Sequence, residues 1–194
     1  MHAENSAPDL PTYSLDVQAL DLGSGTRAVG LELIETESRE PLAGEDAARI
    51  WAAVFPALAA REHYAIDFFS HLDRVRDFCS AHKIDFREAA GRCLVISQPV
   101  VETLCQLIAR FEAETFGFRA GPATQSEDPA LEGELSKRGL DAYEAAYPRY
   151  SFCAICEAAE GWVTVLSETL WPTEIIRRVR PALQPFDVYI ARPQ

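Results

Sequence analysis

The chain holds only two lysines, Lys83 and Lys137, so nearly all of its positive charge sits on arginine. It lacks a Gly-x-Ser-x-Gly nucleophile elbow and a glycine loop that could cradle phosphate. Gly23-Ser24-Gly25 opens no dinucleotide fingerprint: no third glycine follows on schedule, and the next segment reads as strand where a helix is required. No apolar run approaches the roughly 20 residues that span a bilayer. Residues 1–12 are polar and lack the hydrophobic core of a signal peptide. They read as a flexible tail, and the expected compartment is the cytoplasm.

Positive charge is also short overall. The 194 residues carry 18 Lys and Arg against 30 Asp and Glu, a net charge of −12. Phosphate backbones need a basic surface, so the balance argues against nucleic acid as a partner. It suits a basic protein partner, although solubility alone also favours net charge.

Five cysteines, at 79, 93, 105, 153 and 156, lie among apolar neighbours. An odd number without a secretory signal fits reduced, buried thiols. Cys153-Ala-Ile-Cys156 has the spacing of a redox or zinc pair. It falls in a β-branched and aromatic run, however, where residues three apart point to opposite faces. One ion could not be shared, and no second ligand pair follows. No metal and no cofactor is expected.

The end of the chain reads most clearly. Tyr150–Cys156 and Trp162–Thr169 form a hairpin around Gly161. Pro172-Thr173-Glu174 opens a helix, with Thr173 able to cap it. Ile175, Ile176, Val179 and Leu183 make its apolar stripe. Phe186–Ala191 is a last strand, expected beside that hairpin. At the other end, Tyr13–Ala19 and Arg27–Glu35 alternate apolar and polar residues and predict a second hairpin. Glu45–Phe55 reads as helix, with Pro56 breaking it.

From Pro56 to about Ala81 a long amphipathic helix is predicted. Ala65, Phe68, Phe69, Leu72, Val75 and Cys79 recur on one side at spacings of three and four. Cys93–Ile96 is an interior strand. Pro99–Gly117 is another helix, 119–130 a mobile loop, and a weaker helix runs from Asp128 to about Tyr147. The sum is one α+β domain over 13–194. It has a mixed or antiparallel sheet with two hairpins, a C-terminal β-β-α-β unit and helices packed on one face.

Three residue sets are candidates for function. His63, Asp67 and His71 are spaced four apart on the expected long helix, but a solvated polar face explains them without a metal. Arg177, Arg178 and Arg180 are a basic cluster that could contact an anion, or could simply suit a helix C-terminus. Glu62, Asp67, Asp73 and Asp77, with Glu127 and Asp128 on the loop, form the expected acidic partner-binding surface.

The favoured function is a non-catalytic binding protein that docks on or inhibits a protein partner. The alternative is an enzyme or small-molecule binder. Its pocket would lie between sheet and helices, built from scattered residues such as Tyr147, Tyr150, Trp162 and Trp171.

Overall fold

Leu15 and Val17 line one side of β1 (Tyr13–Asp21), and Val29, Leu31 and Leu33 line the same side of β2 (Arg27–Glu35). The two strands pair antiparallel from Tyr13 opposite Glu35 to Asp21 opposite Arg27, so the apolar residues meet on one face. This hairpin belongs to a sheet in a computed structural model that describes residues 11–23, 25–59, 63–68, 71–89, 92–96, 116–121, 144, 148, 150–157 and 160–191.

Among the described residues nine strands form that sheet. The others are β3 (His63–Phe68), β4 (Phe86–Ala89), β5 (Arg92–Ile96), β6 (Phe116–Gly121), β7 (Phe152–Glu157), β8 (Trp162–Leu166) and β9 (Val188–Ile190). Their spatial order is β4-β5-β3-β6-β7-β8-β2-β1-β9. Every neighbouring pair is antiparallel except β1 and β9, which run parallel.

Three helices are described: α1 (Gly44–Ala59), α2 (Leu72–His82) and α3 (Pro172–Leu183). Their inward residues, among them Ile50, Phe55, Leu58, Val75, Cys79, Ile175 and Val179, join Leu15, Leu31, Phe152 and Val163 of the sheet in one core. These helices therefore cover one face. A smaller cluster of Ala28, Cys153, Ile155 and Leu166 lies on the other face.

Two hairpin-plus-helix units stand at the centre. β1-β2-α1 and β7-β8-α3 have the same order of elements, and their inner strands β2 and β8 pair antiparallel from Ala28 opposite Leu166 to Glu32 opposite Trp162. α1 and α3 pack against each other. Arg178 of α3 donates from Nη1 to the Leu58 carbonyl at 2.8 Å. The last four carbonyls of a helix have no partner within it. α1 has no basic residue in its own last turn, so Arg178 supplies the missing cation from outside.

The long helix predicted over 56–81 does not form. Pro56 lies inside α1, His63–Phe68 is the strand β3, and α2 begins afresh at Leu72. The break is marked by His71, whose φ of 54° puts it in the left-handed region. The strand sits between β5 and β6, and a strand flanked on both sides can carry a continuous apolar run.

Further along, Gly117 and Arg119–Gly121 belong to β6 rather than to a helix end and an exposed loop; Arg119 is only 2% exposed. Residues 122–130 lie outside the described residues, as do most of the segments read as helices from Pro99 and from Asp128. The last strand also pairs differently from expectation. β9 adds to β1 of the first hairpin, with Tyr13 opposite Val188 and Leu15 opposite Ile190. Trp171, not Thr173, is the residue before α3, and no side chain caps that end. Among the described residues no helix is long and apolar enough to cross a membrane.

Candidate functional site

Carboxylates collect at one end of the sheet. β2 runs on into a loop that folds back: Ile34 bridges to Pro41, the Glu35 N–H donates to the Glu40 carbonyl at 3.0 Å, and the Leu42 N–H donates to the Leu33 carbonyl at 2.8 Å. The β7–β8 turn meets this loop through the Leu33 N–H, which donates to the Gly161 carbonyl at 2.9 Å. Gly161 has φ +62°, and a Cβ there would stand 2.6 Å from the Leu33 carbonyl oxygen, so the turn needs glycine.

Those contacts bring Glu35, Glu37 and Glu40 near Glu160, and α1 starts just beyond with Glu45 and Asp46. All six are exposed, and Glu32 and Glu157 flank them half-buried on the strands. Arg39 and Arg49 are the arginines in the same segments, and Arg49 reaches Asp46 only at 3.9 Å.

Tyr13 reports the local field. Its hydroxyl donates to Asp46 Oδ2 at 3.1 Å. Its pKa lies above the usual phenol value. Burial comes first among the causes, then the hydrogen bond to Asp46, then the negative charges of Asp46 and Glu35.

The acidic surface expected from sequence is not one helix face. Asp67 falls in β3, whereas Asp73 and Asp77 stand exposed on α2. Asp73 is paired with Arg76, which also bridges to Glu88. Arg74 and Lys83 further offset the carboxylates of α2. Glu62, Glu127 and Asp128 lie outside the described residues. His63, Asp67 and His71 likewise lose their helical spacing, because the first two are in a strand and the third precedes a helix.

Sequence reasoning passed over the acidic end, although its signal is visible. Between Glu32 and Asp46 stand Glu35, Glu37, Glu40 and Glu45, against Arg39 alone. What could not be read was the approach of Glu157 and Glu160 from a hairpin more than a hundred residues away.

The arginine cluster divides by role. Glu174 accepts from Arg177 at 2.7 and 2.8 Å and from Arg178 at 2.8 Å. These hydrogen bonds, Arg177 first and then Arg178, hold the Glu174 carboxyl at about 2, well below its ordinary range. Arg180 has no carboxylate partner among the described residues. It borders a groove of about 330 Å³ at the edge of the sheet. Leu183, Phe186, Val188 and Ile190 line the groove with apolar surface; Gln184 and Tyr189 complete its wall.

The aromatic residues suggested for a pocket are dispersed. Trp162 packs on the sheet over Gly30, and its Nε1 donates to Thr164 Oγ1 at 2.9 Å. Trp171 is 42% exposed, with the Arg27 guanidinium 4.5 Å above its ring. Tyr150 accepts from buried Arg119 at 3.1 Å. Tyr147 lies outside the described residues. Cys153 and Cys156 are buried, unbridged and on opposite faces of β7, one in each apolar cluster, as strand geometry requires.

The fold is thus an open mixed sheet with its described helices on one face. No protein-family model matches the chain, and neither a curated protein nor a solved structure is detectably similar to it.

Proposed function

We propose that this is a non-catalytic binding protein that docks on a basic protein partner through the acidic end of its sheet. One observation carries the reading. Glu35, Glu37, Glu40, Glu45, Asp46 and Glu160 converge there from three separate segments, and of these only Asp46 has an arginine partner among the described residues, Arg49 at 3.9 Å. A concentrated field of one sign raises encounter rates with an oppositely charged surface.

The test is association kinetics with a partner captured from the native host. The on-rate falls steeply with salt, because the Debye length drops from about 30 Å at 0.01 M to about 3 Å at 1 M. Reversing Glu37 and Glu40 to lysine slows association and leaves the fold intact, since exposed charges add little to stability. The same reversal at Asp73, already paired on α2, has a smaller effect. A salt-independent on-rate, or one indifferent to Glu37→Lys and Glu40→Lys, rejects this function.

A further inference from the structure

The edge of the sheet offers a second surface, where Arg180 supplies a cation. β9 is the terminal strand and pairs on one side only among the described residues. On that side the Tyr13 N–H donates to the Asp187 carbonyl and the Ala191 N–H to the Leu15 carbonyl, each at 3.0 Å. In a parallel ladder alternate residues of a strand face one neighbour. Asp187, Tyr189 and Ala191 therefore turn their backbone groups toward β1, and Val188 and Ile190 turn theirs outward. The Val188 N–H is taken by the Phe186 carbonyl at 2.9 Å. The Val188 carbonyl and both backbone groups of Ile190 have no backbone partner among the described residues and remain for an added strand.

That backbone edge borders the apolar groove of Leu183, Phe186, Val188 and Ile190. Its volume of about 330 Å³ is at the low end for small-molecule sites, which run from about 300 to 1,000 Å³. It suits one or two side chains of an extended segment. Tyr189 stands 55% exposed on the strand itself.

Charge then selects the occupant. Arg177 and Arg178 are held by Glu174, but Arg180 at the groove has no such partner among the described residues. Asp187, the next carboxylate after it in the chain, is engaged by the N–H and hydroxyl of Thr12 at 2.8 and 2.6 Å. The groove thus presents a cation beside apolar surface and unpaired strand groups. We propose that the β9 edge takes an extended segment of another protein as an added strand, with an apolar side chain in the groove and a carboxylate on Arg180. Val188 lies opposite Tyr13, which reaches Asp46, so the groove neighbours the acidic end, but none of the acidic-end carboxylates lines it, and its occupant has the opposite charge.

The test uses the full chain and a display library of short unstructured peptides. The selected peptides carry Asp or Glu next to a large apolar residue. Arg180→Glu weakens them by about tenfold or more, and exchanging the peptide carboxylate for lysine restores binding to that variant. Methylating the peptide nitrogen that pairs with the edge abolishes binding without altering the protein. A benzoylphenylalanine replacing Tyr189 cross-links to the bound peptide. Selection of basic or featureless peptides overturns the proposal, as does indifference to Arg180→Glu. So does cross-linking to a second copy of the chain or to the chain's own residues 1–10. Failure of the salt test at Glu37 and Glu40 leaves this result untouched, so the two surfaces are judged apart.

Discussion

Trp162 lies against Gly30: a Cβ on that glycine would stand 2.6 Å from the Cζ2 and Cη2 atoms of the indole. The residues are diagonal neighbours, since Trp162 is opposite Glu32 and Gly30 is opposite Thr164. The ring covers a strand position that has no side chain, which joins β2 to β8 on the face away from the helices.

Gly30→Ala must therefore displace the ring. The expected cost is about 1–3 kcal/mol, the range for overpacking a close contact. Combining it with Trp162→Leu recovers part of the loss, because two residues in contact are not additive. Urea unfolding of the two single variants and the double variant measures the coupling; strict additivity would show that the indole does not occupy that space in solution.

Arg177 and Arg178 are adjacent but unequal. Arg177→Met removes one exposed pair and changes stability little. Arg178→Met also deprives the Leu58 carbonyl of its donor and loosens α3 from α1. A loss of about 1–2 kcal/mol is expected for a hydrogen bond to a charged group that is partly screened. Thermal unfolding of the two variants side by side gives the comparison, and equal effects would deny Arg178 its capping role.

Acid should weaken α3. Glu174 titrates at about 2 in the folded chain, against an ordinary value of 4.5. A depressed carboxyl contributes stability that is complete above the unfolded value and is lost as pH falls from about 4.5 toward 2. Asp187 is lowered too, by its hydrogen bonds from the Thr12 hydroxyl and N–H, and it adds to the same trend. Glu174→Gln should flatten the decline in stability over that window. Carboxyl titration followed by NMR would expose an error if Glu174 titrated normally.

Thiol chemistry offers a check on the core. Cys79, Cys153 and Cys156 are buried, and burial raises the Cys79 pKa above its usual value. All three should react with a thiol reagent only as fast as the chain opens. Fast labelling of Cys153 in the native protein would contradict its place in the sheet.

The hairpins were legible because alternation of period two, as in Leu15-Asp16-Val17, survives wherever one face is more polar than the other. α1 and α3 were legible from their stripes. β3 was not. Its run Tyr64-Ala-Ile-Asp-Phe is apolar enough to belong to a strand or a helix, and the residues after it continued a spacing of three and four by chance. No glycine or proline between Phe69 and Leu72 signals the break that His71 makes. The arginine cluster was visible as charge, but pattern could not show which members Glu174 had already taken. The groove escaped entirely, since it depends on which strand β9 chooses.

That choice also governs when the fold can be completed. β1 has one neighbour close by in the same hairpin and another near the end of the chain, and β2 meets β8 across more than a hundred residues. Closing loops this long is entropically costly before any contact rewards it. During synthesis the first hairpin emerges with both outer edges open, and neither is closed until the last third of the chain has appeared. Exposed strand edges are templates for wrong pairing. The parallel pairing of Val188–Ile190 with Tyr13–Leu15 is thus a late event in assembly, and the newborn chain is most vulnerable to association with its neighbours in the interval before it.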